Sequence, residues 1–94
     1  MVKLVRIVKV KNQRYSELYE MILKLKSIDD CEEFFSDLFT IKELDSMTQR
    51  VVAGKLLLSG ETYEKIISKT DISSATLSRV SRCVKTGKGY KKFL

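Results

Sequence analysis

Apolar residues recur at helical intervals through most of this chain, the signature of helices with one buried face. Tyr15, Leu18, Tyr19, Ile22 and Leu25 form the first series and predict an amphipathic helix from about Asn12 to Leu25. A second series, Ile28, Cys31, Phe34, Phe35 and Leu38, follows Ser27, whose hydroxyl can cap a helix N-terminus. Asp29, Asp30, Glu32 and Glu33 fall near the start of that helix, where carboxylates meet the positive end of its dipole. Thr40-Ile41-Lys42-Glu43 then reads as a capping box, in which the Thr hydroxyl takes one free N–H and the Glu carboxylate another. It opens a third helix running to about Leu58, with Gly60 just past its end.

The third helix departs from the simple one-faced pattern. Val51, Val52, Ala53, Leu56, Leu57 and Leu58 go round the whole wheel, so its second half must be buried on more than one side. A chain of 94 residues has material for one core and can hardly enclose such a helix alone. The expectation is an all-α homodimer whose core is shared between two copies, with residues 1–94 forming a single domain.

The two ends are less regular. Val2 to Val10 is rich in β-branched residues and suggests a strand, yet Val2, Val5 and Val8 also fit a helical face. No second strand stands out to pair with it, so residues 1–11 also read as a mobile arm or an intersubunit element. Lys85 to Leu94, interrupted by Gly87 and Gly89, reads as a flexible tail, with residues 86–94 mobile beyond the last helix.

The segment from Gly60 to Lys85 carries the strongest functional signal. Thr62 can cap a short helix from Tyr63 to Lys69 that buries Tyr63, Ile66 and Ile67. After a break at Thr70-Asp71-Ile72, Ser73 can cap another helix from Ser74 to Val84. Two short helices with a hydrophobic residue in the tight turn between them describe a helix-turn-helix unit. The usual turn glycine is missing, and Asp71, which tolerates left-handed backbone, takes its place.

The last helix divides into two faces. Leu77, Val80 and Val84 share one, with Cys83 at its edge, while Ala75, Arg79 and Arg82 cluster opposite, flanked by Ser78 and Lys85. A recognition helix needs this division: the apolar side locks it to a scaffold, and small residues near its start approach base edges without a clash. Ser74, Ala75, Thr76 and Ser78 are small enough, and Arg79 and Arg82 can serve phosphates or take a guanine bidentately. Lys85, Lys88, Lys91 and Lys92 suit non-specific phosphate contacts. The plainer reading is a surface helix with a basic, solvated face.

Charge sharpens the choice. The net charge is +6, but residues 15–47 hold nine acids and three bases, whereas residues 1–14 hold five bases and no acid. Residues 48–94 hold ten bases and three acids, and nothing after Asp71 is acidic. An acid-free basic end suits a polyanion, and the acidic middle suits something else.

Composition also excludes. There is no histidine, so Ser-His-Asp and Cys-His nucleophilic systems and His-containing metal sites are unavailable. Cys31 and Cys83 are too few for a four-ligand zinc site or a disulfide framework, and they read as small packed hydrophobes. No cofactor, no metal and no enzymatic activity are expected. No apolar run reaches the roughly 20 residues of a membrane span, and a cytoplasmic location with no membrane partner is the default.

Four stretches carry a family resemblance: Phe34-Phe35-Ser36-Asp37-Leu38-Phe39-Thr40; Glu43 with Met47-Thr48-Gln49-Arg50; Tyr63-Glu64-Lys65-Ile66-Ile67; and the run from Ser74 to Cys83. Residues from about Phe34 to Lys85 resemble the tryptophan repressor superfamily, and most of the chain is similar to its YerC/YecD branch. The resemblance implies an all-helical bundle, intertwined as a homodimer, whose helix-turn-helix units enter successive major grooves of double-stranded DNA. It also implies a vestigial corepressor pocket. In the tryptophan repressor the indole lies between two arginines, matched here by Arg50 and Arg79, and two pocket threonines match Thr40 and Thr76. Two positions depart: Val80 stands where the family has a small glycine, and Cys83 where a serine receives the ligand's amino group. A valine would fill ligand space and a thiol is a poor partner for an ammonium, so tryptophan is not an expected effector.

The expected function is therefore a sequence-specific, repressor-like regulator of transcription. Its DNA contacts would come from Thr62, Ser73, Ser74, Ala75, Thr76, Ser78, Arg79, Arg82 and Lys85. The alternative is a protein-interaction module that uses the helical dimer surface without specific DNA binding.

Overall fold

The computed structural model describes residues 13–94, all of whose regular elements are helical. A 3₁₀ turn at Gln13–Tyr15 leads into α1 (Ser16–Ile22), followed by α2 (Ile28–Leu38), α3 (Ile41–Leu58), α4 (Tyr63–Thr70), α5 (Ser74–Thr86) and α6 (Gly89–Phe93). The expectations for residues 1–11, and for Asn12 as a helix start, lie outside the described residues. The chain divides into two compact units, residues 1–38 and 39–94.

Side-chain caps place most helix starts where the polar residues stand. Ser27 Oγ accepts from the Asp30 N–H at 3.0 Å, and Asp30 Oδ2 accepts from the Lys26 N–H at 2.9 Å, so α2 begins with both groups engaged. At α3 the capping box is complete: the Glu43 N–H donates to Thr40 Oγ1 at 3.0 Å and the Thr40 N–H to Glu43 Oε1 at 2.9 Å. The same helix ends as its glycine requires. Gly60 sits at φ 91°, and the Gly60 and Glu61 N–H groups donate back to Leu57 and Leu56 carbonyls at 3.1 and 3.0 Å.

In the first unit, α1 is shorter than its apolar series suggested, ending at Ile22 with a turn through Leu23 and Lys24. None of its described residues is buried. Tyr19 is 48% exposed and Ile28, at the head of the α2 stripe, 85% exposed. Two amphipathic helices that bury nothing fully have apolar surface to spare.

Among the described residues, the buried core lies wholly in the second unit. Ala53 of α3, Ile66 of α4, Ile72 of the following turn and Leu77 and Val80 of α5 form one cluster, with Leu56, Leu57, Val84 and Tyr90 packed against it. α3 is the scaffold on which α4, α5 and α6 all rest. Several of its other apolar residues stay exposed in the single chain: Val51, Val52 and Leu58 are 39–42% accessible and Ile41 79%, while Leu44 and Met47 are half-buried.

Two further sequence expectations give way to the structure. The segment expected as a flexible tail contains α6, and Tyr90 packs on the core. The reason is long-range: Gly54 of α3 is buried and leaves room for Tyr90 and Leu94, whose side-chain atoms would lie 3.2 and 2.9 Å from a Cβ at that position. Replacing Gly54 with valine should therefore displace α6 and lower stability by about 1–3 kcal/mol, the usual scale of overpacking. Urea unfolding would measure it. The second correction concerns α4, where Ile66 is fully buried but Tyr63 and Ile67 are 42% and 37% exposed. An eight-residue helix packed on one side seats only its central row.

Candidate nucleic-acid interface

α4 and α5 are two short capped helices joined by a three-residue turn. Thr62 Oγ1 accepts from the Lys65 N–H at 3.2 Å to start α4. Ser73 Oγ accepts from the Thr76 N–H at 3.1 Å to start α5, and its hydroxyl donates to Thr76 Oγ1 at 2.9 Å. Between them Asp71 adopts the left-handed conformation, φ 58°, as expected of the residue standing in for glycine. Ile72 is only 2% exposed and anchors the turn in the core.

The turn is also held by side chains. Thr70 Oγ1 donates to the Ile66 carbonyl at 2.7 Å and accepts from the Ile72 N–H at 3.2 Å. From α3, Gln49 Nε2 donates to the Thr70 carbonyl at 3.0 Å. Sequence reasoning had no role for Gln49, because its partner is a backbone carbonyl far along the chain. A left-handed residue in this turn tolerates no branched Cβ. Asp71→Val should cost about 1–2 kcal/mol, visible as a lower urea midpoint with an unchanged slope.

The two faces of α5 separate cleanly. Placed at helical angles, the exposed residues Ser74, Ala75, Ser78, Arg79, Arg82, Lys85 and Thr86 occupy one arc of roughly 140°. Leu77, Val80 and Ser81 are buried on the opposite side, with Val84, Cys83 and Thr76 half-buried around them. The helix extends to Thr86, two residues beyond its expected end. Its first turn has no acid, and no acidic residue follows Asp71, so the arc presents small polar groups at one end and cations along its length.

The residues matched to a ligand pocket are not all neighbours in the single chain. Thr40 and Arg50 line one open groove along α3, of about 500 Å³, together with Phe39, Lys42, Glu43, Ser46 and Met47. Thr76, Arg79, Val80 and Cys83 belong to α5 and do not line that groove. Val80 is 1% exposed, packed in the core, and Thr40 is engaged in the α3 capping box. Among the described residues, no cluster of three or more Cys, Asp and Glu side chains could hold a metal ion. No helix there is long and apolar enough to cross a membrane.

This architecture has known counterparts. The chain is 42% identical over 79 residues to an uncharacterized protein, YerC, of Bacillus subtilis strain 168, covering 84% of this chain and 76% of that protein. Among solved structures it is similar to a TrpR-like protein from Eubacterium eligens, with a TM-score of 0.82 at 41% identity, over 87% of this chain and 86% of the other. A proposed Trp repressor from Staphylococcus aureus matches with a TM-score of 0.81 at 35% identity, over 86% and 82% of the two chains. The sequence profile of the Trp repressor protein family spans residues 13–94, every described residue, and with these likenesses it shows that the chain belongs to that family.

Proposed function

We propose that this protein is a sequence-specific DNA-binding regulator of transcription, acting as an intertwined homodimer with α5 as its recognition helix. One observation carries the reading: the exposed arc of α5 is free of acids, small at its N-terminal end and basic beyond it, while the opposite face is locked into the core. Ser74, Ala75 and Ser78 let the helix approach base edges, Arg79 and Arg82 reach bases or phosphates, and Lys85 meets the backbone. Thr62, Ser73 and Thr76 hold the two helix starts against the groove walls.

Exposed apolar surface supports the dimer. α1 and α2 bury no residue alone, and Val51, Val52 and Leu58 of α3 stand open. A second copy would cover these faces as a domain core does. Tryptophan is not the expected effector, because Val80 stands where the family has a small glycine and Cys83 offers no strong acceptor for an ammonium. The role is regulatory, without catalysis.

A gel-shift titration across salt concentration tests the reading. Three cations per protomer give about six phosphate contacts and a slope of log affinity on log salt near −5. An affinity independent of salt would sink the proposal. A partner recovered with equal yield from nuclease-treated extract would favour a protein-interaction module built on the helical surface.

A further inference from the structure

We infer that Gln49 is a positioning residue for DNA recognition: from α3, its side-chain amide fixes the turn between α4 and α5 and so sets the angle at which α5 meets the groove. The inference rests on the DNA-binding reading above.

The turn must satisfy a helix end. Thr70 closes α4, and its carbonyl has no intrahelical donor because the chain leaves the helix at Asp71. Gln49 Nε2 supplies that donor at 3.0 Å. The neighbouring groups are already committed: the Asp71 N–H donates to the Ile67 carbonyl at 2.9 Å, and the Thr70 hydroxyl bridges Ile66 and Ile72. The Thr70 carbonyl and hydroxyl and the Asp71 and Ile72 N–H groups are therefore tied, and the hydrogen bond among them that reaches the scaffold helix is that of the Gln49 amide.

This bond differs in kind from its neighbours. Among the described residues from 40 to 94, the other side-chain hydrogen bonds join positions four or fewer apart and shape single helices or the turn itself. Gln49 and Thr70 are 21 positions apart, and their bond relates one helix to another. The contacts of Ala53, Ile66, Leu77 and Val80 hold α4 and α5 against α3, but apolar packing has no preferred direction. A hydrogen bond does, and this half-buried one fixes the turn against rotation. Arg79 and Arg82 lie on the far side of that pivot, where a shift of about 1 Å is enough to spoil a bidentate contact.

Gln49→Met, of equal length without a donor, and Gln49→Glu, of equal shape with a carboxylate, test the inference in the full-length protein. Affinity is measured on a duplex recovered by site selection and on a random-sequence duplex of the same length, beside the helical signal of each variant. One net hydrogen bond corresponds to about five-fold per half-site, so specific binding by the dimer should fall about 25-fold. Binding to random sequence, which rests on charge, should change less than about two-fold.

A merely structural residue would lower both affinities in parallel with the folded fraction. An unchanged ratio of specific to random affinity in Gln49→Met would overturn the inference. Loss of the helical signal in both variants would also overturn it, because the residue would then hold the fold instead of aiming a helix. Should the unsubstituted protein itself show no preference between the two duplexes, the DNA-binding reading fails first, and the cause is distinguishable.

Discussion

Replacing Arg79 and Arg82 together with alanine is expected to weaken binding to a specific duplex by at least about a thousandfold. Each base- or phosphate-directed arginine contributes about 1–3 kcal/mol, and a dimer presents four of them. Both are exposed on the free arc of α5, so their loss should leave the fold intact, with stability changed by no more than about 0.5 kcal/mol. The slope of log affinity on log salt should shrink by about 3 to 4 where all four meet phosphates. Arg79→Lys with Arg82→Lys separates the two roles of the guanidinium. It keeps the charge, and therefore most of the salt slope, while losing bidentate geometry and with it the discrimination between sequences. Filter binding beside a circular-dichroism melt measures all three quantities. Unchanged affinity in the alanine pair would place the DNA surface elsewhere.

Leu77→Ala should produce the largest loss of stability. Leu77 is fully buried on the inner face of α5, in the cluster formed with Ala53, Ile66, Ile72 and Val80. Truncation leaves a cavity where α5 meets its scaffold, at a cost of about 2–5 kcal/mol. That is a large share of the roughly 5–15 kcal/mol that holds a small domain together. Leu77→Met, which conserves volume, should cost less than about 1.5 kcal/mol. Urea unfolding followed by helical signal gives both values. DNA binding should fall with the folded fraction in Leu77→Ala, whereas the arginine pair should lose binding while folded. The two faces of one helix are thereby assigned separate tasks.

What was legible in the sequence was chemistry that acts over a few residues. The caps at Ser27, Thr40, Thr62 and Ser73 stand where hydroxyls precede apolar series, because each meets its N–H three positions on. Asp71 could be read as the turn residue for the same reason: its left-handed backbone is a property of one position. The division of α5 followed from helical periodicity alone. What stayed hidden depends on partners far along the chain. Gly87 and Gly89 suggested a loose end, yet α6 forms because Gly54 on α3 makes a seat for Tyr90 and Leu94. Gln49 falls in a stretch that carries the family resemblance, but nothing there points to its bond, since its acceptor is a backbone carbonyl 21 positions on. Tyr63 and Ile67 sit at helical spacing from Ile66, but spacing cannot say how wide a face the scaffold covers.

The most direct measurement is selection of bound sequences from random duplex DNA by the purified full-length protein. A dimer that reads DNA with α5 should return two related half-sites in inverted orientation, their centres about 10–10.5 base pairs apart or a multiple of that. Recovery of no enriched sequence by a folded protein would contradict the account.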